Sequence, residues 1–345
     1  MEIVFSLIFL FILLGLIVFV CIIFTNAVEH LGSILNLSQG AVGSVLAAVG
    51  TALPETLVPI VAILGAYFFK GDIESGHEIG VGAILGAPFL LGTLAMCITG
   101  IAVYYYAYKG KRTIDMPVNT SVMKRDMQYF MGVYIIAVGA SFLPHMYTKV
   151  LVVIILLFIY SRYVYLTVKD DSTDNSEHGE LEPLYVSKVL GSGLNAVIIQ
   201  LLISIGSIIL LAHFFVDCIK EIAIHFHISA LVLSLIIAPI ATELPEKFNS
   251  VIWIKGKKDT LALGNITGAM VFQSAIPPVV GILLTPWHLN STAIVSIVLV
   301  YISMSLIYLN LTLNKNVLKP WILIISGVFY LIYILFLTFT IINCP

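Results

Sequence analysis

The chain has 345 residues, 60% of them hydrophobic and 10% charged, with a formal net charge of −2 and a mean hydropathy of +1.07. Soluble domains carry about 25% charged residues, so this composition excludes a water-soluble globule, and without a basic excess nothing points to nucleic acid as a partner. Four scattered cysteines (Cys21, Cys97, Cys218, Cys344) form no CxxC pair or zinc spacing and read as small apolar residues.

A membrane-spanning helix needs about 20 apolar residues, and ten stretches are candidates, at 3–25, 40–69, 79–108, 127–143, 148–168, 187–215, 229–254, 260–285, 291–312 and 320–342. The first opens on Glu2 rather than a basic residue and lacks a small-residue cleavage site, so it reads as a span and not a signal peptide. With the N-terminus outside, twelve lysines and arginines, Lys111, Arg112 and Lys257 among them, fall in cytoplasmic loops. Lys70, Lys149 and Lys220 fall in outer ones. Ten spans then leave both termini extracellular, in a multi-pass protein expected in the cell membrane. Asp72, Glu74, His77 and Glu78 are placed in the outer loop before the third span, and His213, His225 and His227 flank the outer end of the sixth.

The acid-rich stretch 169–186 divides five spans from five and reads as a solvated cytoplasmic linker between a first half, 1–168, and a second, 187–345. Two segments resemble each other across it. Gly50-Thr51-Ala52-Leu53-Pro54-Glu55 in span two matches Ala241-Thr242-Glu243-Leu244-Pro245-Glu246 in span seven. Each is followed by a glycine-bearing span, with Gly82 and Gly86 in the first half and Gly264 and Gly268 in the second. Spans five apart cross the membrane in opposite directions, so the pattern is that of an inverted-topology repeat with discontinuous helices meeting at the midplane. The fold class expected is therefore an all-α membrane protein of about ten helices in two inverted five-helix repeats.

The chemistry of the repeated segment points to a cation. A proline within a helix frees a backbone carbonyl, and carbonyls, threonine hydroxyls and carboxylates are the hard oxygen ligands that Ca²⁺ takes. A carboxylate at mid-bilayer costs about 2.5–3.5 kcal/mol on insertion scales, so Glu55 and Glu246 read as cation ligands rather than incidental charges. The prolines alone would also serve as packed kinks, and the four glycines read as helix-packing positions. Glu243 and Lys247 are spaced i,i+4: either they pair structurally, or Lys247 acts as a tethered cation, or Glu243 carries a proton.

The paired TxLPE segments, with GNxxG after the second, resemble the alpha repeats of the cation/calcium exchanger superfamily, nearest its sodium/calcium exchanger branch. The resemblance covers about 40–95 and 229–285 in motif and the whole chain in layout. It implies an antiporter working by alternating access, spans one and six rocking against the rest. Ca²⁺ would be held by Glu55 and Glu246 with oxygens of Thr51 and Thr242, and exchanged for Na⁺ or H⁺ without any cofactor. Where the family usually has serine this chain has Ala52, Ala87 and Ala269, and where it usually has Asn or Asp it has Leu91 and Gln273, while Glu243 puts a carboxylate in place of a further serine. Fewer sodium ligands favour protons as the counter-ion. Two other classes remain: a non-transporting scaffold or cation sensor that keeps the exchanger fold, and an intramembrane enzyme using Glu55 and Glu246 as acid and base, for which the sequence offers no recognisable nucleophile or metal-ligand set.

Overall fold

The structure, a computed structural model, describes residues 2–34, 53–68, 72–171, 182–314 and 317–343. In chain order the helices are α1 (Glu2–Ile34), α2 (Leu53–Phe68) and α3 (Ile73–Leu90), which passes through a π turn (Leu91–Ala95) into α4 (Met96–Tyr108). Then come α5 (Thr120–Gly139), α6 (Met146–Asp171), the short α7 (Ser187–Leu190) and α8 (Leu194–Phe226). The chain closes with α9 (Ala230–Lys255), α10 (Asp259–Leu284), α11 (Ser291–Leu313) and α12 (Pro320–Asn343). Among the described residues, seven helices are long and apolar enough to cross a membrane; α2 and the first part of α9 are shorter apolar segments.

Capping residues decide where the chain re-enters its helices. Asp72 accepts from the Glu74 amide at 3.1 Å and from the Ser75 hydroxyl, which holds its carboxyl below the usual range. Glu74, His77 and Glu78 therefore belong to the opening turns of α3 and not to the loop where the sequence reading placed them. Likewise His213 and His225 lie inside α8, which runs on to Phe226. Asn119 caps α5 through the amides of Ser121 and Val122, so that helix starts seven residues before the expected span.

The prolines expected to interrupt the helices do so mildly. α9 continues past Pro239 and Pro245, each removing one backbone donor without ending the helix. The irregular backbone described is the π turn after Pro88, where the buried Ser303 hydroxyl donates to Gly92 O at 2.6 Å.

The bundle has two main apolar cores. One lies among α3–α6 and α9–α12. The other lies where α1 and α8, packed side by side, meet α2, the start of α3 and α9, through residues such as Phe24, Ile63's neighbour Ala62, Ala83, Phe215 and Ala238. Polar contacts stitch α1 to α8 near both ends. Ser6 donates to Glu221 at 2.7 Å, and the buried Gln200 donates to Ile23 O and Asn26 Oδ1. Gln200 Oε1 accepts from the Val186 amide, which fastens the segment entering α8 to the same pair.

One end of the bundle is closed by ties between the halves. Met116–Pro117 and Val317–Leu318 form a two-residue antiparallel pair. Arg112 meets Asp259 bidentately at 2.6 and 2.8 Å, both side chains at most 1% exposed, and also donates to Ile254 O. At the opposite end Trp287 Nε1 donates to Ala137 O and Lys149 Nζ to Pro286 O.

Candidate cation site

Helices α2, α3, α9 and α10, which carry the two repeats, pack against one another. The seam between α3 and α9 is tight because glycine permits it. A Cβ on Gly82 would lie 2.3 Å from Leu231 O, and one on Gly86 2.1 Å from Leu235 O and 2.7 Å from Pro239. Both pairs are spaced i,i+4, so the two backbones touch along a single stripe. Ser234 adds a hydrogen bond to Ile79 O at 2.8 Å, and Glu78 accepts from Ser229 Oγ at the start of α9. The corresponding glycines of the second half are surrounded differently. No heavy atom among the described residues comes within 4 Å of a Cβ on Gly264, and Gly268 faces only Tyr163 OH at 3.7 Å.

The described candidate ligands lie on these four packed helices, and two of them, Glu243 and Gln273, are brought into contact. Glu55 stands in the first turn of α2, 5% exposed, where the helix dipole favours its charge. Thr242 and Glu243 are buried on α9, and Gln273 and Ser274 are buried on α10. Gln273 Nε2 donates to Glu243 Oε1, which joins the second repeat's two helices at the site. Gln273 Oε1 has no hydrogen-bond partner among the described residues, so a buried neutral oxygen remains beside the carboxylate. Thr242 donates to Ala238 O at 3.3 Å within its own helix. Thr51 lies outside the described residues. Positions 246 and 247 belong to α9, but the side chains of Glu246 and Lys247 also lie outside the described residues.

The described contact pairs one buried carboxyl, that of Glu243, with an amide able to serve either protonation state, while Glu55 is buried on α2, a helix that packs against α9 and α10. Gln273 can donate to a carboxylate through its nitrogen or accept from a carboxylic acid through its oxygen.

A second polar cluster, on another face of α10, was not singled out in the sequence. Asp126 of α5 is 2% exposed and accepts from Thr267 Oγ1 of α10 at 2.8 Å and from Tyr163 OH of α6 at 3.0 Å. Arg125 Nε lies 3.6 Å from the same carboxylate, its guanidinium over the Tyr163 ring. Asp126 follows two basic residues ahead of an apolar run, so in the sequence it looks like part of a wetted helix end.

The fold and the site define an integral, multi-pass helical transporter built from two repeats. The family described as sodium/calcium exchanger protein matches residues 5–169 and 196–341, and the chain belongs to that family, whose members are transporters and not enzymes. It is 26% identical over 290 residues to an uncharacterised membrane protein of Methanocaldococcus jannaschii, covering 81% of this chain and 82% of that one. Its fold resembles that of the H⁺/Ca²⁺ exchanger CAX (TM-score 0.73, 14% identity, 97% of this chain and 84% of that one). It also resembles the sodium-calcium exchanger NCX_Mj in a crystal soaked with Na⁺ and Sr²⁺ (TM-score 0.58, 22% identity, 96% and 99%).

Proposed function

We propose that this protein exchanges Ca²⁺ for protons by alternating access, using Glu55, Glu246 and Glu243 as the charged ligands. The observation that carries this reading is the buried Glu243–Gln273 contact. A carboxylate with an amide beside it can release a proton and receive a cation with only a small rearrangement, whereas Ala52, Ala87, Ala269 and Leu91 give sodium no side-chain oxygen. Three glutamates carry −3, and Lys247 reduces this to −2, the charge that one Ca²⁺ or two protons would balance. The CAX structure is described as an H⁺/Ca²⁺ exchanger, and the NCX_Mj structure as a sodium-calcium exchanger. Backbone likeness to both supports the exchange and leaves the counter-ion to the site.

The motion proposed is a displacement of the α1–α8 pair against the remaining helices. A separate apolar core at that boundary, with the polar stitches between α1 and α8 themselves, supports a pair that moves as a unit. The Lys and Arg distribution supports an orientation with the Arg112–Asp259 end in the cytoplasm and both termini outside, and the cell membrane is the membrane proposed. Labelling from outside with an impermeant thiol reagent at a cysteine substituted for Lys257 would overturn this orientation.

The test is ⁴⁵Ca²⁺ uptake into proteoliposomes under separate H⁺ and Na⁺ gradients. Uptake driven by the H⁺ gradient alone is expected. Uptake that strictly requires Na⁺ and ignores pH would overturn the proton reading, and no uptake under either gradient would favour the non-transporting sensor.

A further inference from the structure

We propose that Asp126 is a positioning residue that sets α10 so that Gln273 meets Glu243. This inference rests on the exchange reading only for its functional consequence; the geometric part stands on the contacts themselves.

A carboxylate buried among helices costs stability unless it is hydrogen-bonded, and apolar residues would join the same helices at less expense. Asp126 is nonetheless buried, and its two oxygens receive hydroxyls from two different helices, Tyr163 of α6 and Thr267 of α10. Three helices are thereby fixed at one point with directional bonds. The rest of that face of α10 is laid against tyrosines of α6. Tyr163 OH stands over Gly268, and Tyr160 meets Phe272 edge-on with ring centroids 5.8 Å apart.

Gln273 is six residues beyond Thr267. On an α-helix that is about 9 Å along the axis and about 120° around it. The Asp126 contact is therefore too far away to touch an ion at Gln273, but it is rigidly connected to it. A turn of α10 about its axis would carry Gln273 away from Glu243. Apolar contacts resist such a turn poorly, since they lack direction. The directional Thr267–Asp126 bond resists it, with the carboxylate itself held in place by Tyr163 of α6. Among the described residues nothing stands within 4 Å of a Cβ on Gly264 and only an ordinary contact meets one on Gly268, so this stretch of α10 has no glycine seam of the kind that locks α3 to α9, and the polar tie takes that part.

The experiment uses the purified full-length protein with Thr267→Val, which keeps shape and removes the donor, Thr267→Ser, which keeps the donor, and Asp126→Asn. The helix setting is read by a short bifunctional thiol cross-linker between Glu243→Cys and Gln273→Cys in a background without the native cysteines. Function is read by the Ca²⁺ concentration that half-maximally raises the thermal midpoint of the protein with Glu243 and Gln273 intact. Thr267→Val and Asp126→Asn should lower cross-linking at least threefold and raise half-saturating Ca²⁺ about fivefold, the effect of about one hydrogen bond. Thr267→Ser should stay within twofold of the parent in both. If Thr267→Val lowers the Ca²⁺-free midpoint while cross-linking and half-saturation stay unchanged, the cluster is a structural tie and the proposal is wrong. Should Asp126→Asn fail to purify, the Val and Ser pair decides. Absence of any Ca²⁺ effect in the parent protein would count against the exchange reading, and the cross-linking would still judge the position of α10.

Discussion

Gln273 has the residue-scale property that separates this site from one built of acids alone, since it brings both a donor and an acceptor into contact with Glu243. With Glu243 ionised the amide nitrogen satisfies it. With Glu243 protonated the amide can turn and accept. Acid on the Ca²⁺-loading face should therefore inhibit uptake, because a proton on Glu243 removes one charge from the proposed cation ligands. Glu243→Gln should flatten this pH dependence in proteoliposome flux while leaving the protein folded; an unchanged pH profile would exclude Glu243 as the proton carrier. Gln273→Leu removes the hydrogen bond from Gln273 Nε2 to Glu243, and a hydrogen bond to a charged group contributes about 1.5–3 kcal/mol. A fall in Ca²⁺-free thermal stability should accompany any loss of transport in that variant.

At the scale of the helices, the two repeats use the same letters for different purposes. Gly82 and Gly86 press against the α9 backbone, whereas among the described residues Gly264 meets nothing within 4 Å and Gly268 only Tyr163 OH at 3.7 Å. Gly86→Ala would push a methyl to 2.1 Å from a carbonyl oxygen that cannot step aside, and overpacking of this kind costs about 1–3 kcal/mol or more. Gly268→Ala meets an ordinary contact and removes a helix-weakening glycine. Thermal unfolding in detergent should show a large loss for the first and none for the second; equal losses would mean that the α3–α9 seam is looser than described. The sequence announced the seam and the repeat, because i,i+4 glycines and duplicated TxLPE segments are local patterns. It could not show which pair of glycines would be pressed, since that depends on what lies across from each. The π turn at Leu91–Ala95 has only Pro88 and Gly92 near it as hints. Asp126 was hidden for a related reason. Its partners are 37 and 141 residues away, and nothing local distinguishes a buried acid from a wetted one.

For the molecule as a whole, the link between halves at the Arg112 end is ionic and dry. Arg112 was read from the sequence only as a mark of orientation, yet its guanidinium is enclosed by Asp259, Ile254 O, Thr113 O and Asp115 O. Removing one partner of a buried pair costs about 3–5 kcal/mol, whereas replacing both with apolar groups is often neutral. Arg112→Leu alone should lower the thermal midpoint sharply, and Arg112→Leu with Asp259→Leu should recover much of that loss. A double variant as unstable as the sum of the singles would show that the two residues act independently.

The continuous rod from Ile73 to Tyr108 has a consequence for how the protein sits in lipid. Its 36 residues extend about 54 Å, against a hydrocarbon layer of about 30 Å. Nearly half its length must be taken up by tilt or lie among headgroups, where Glu74 and Glu78 at one end and Tyr104, Tyr105 and Tyr108 at the other are suited to the interface. Because α9 is fused to this rod along the glycine stripe, a change in bilayer thickness that alters the rod's inclination alters that of Glu243 with it. Hydrophobic mismatch thus reaches the helices of the candidate site by leverage through the rod.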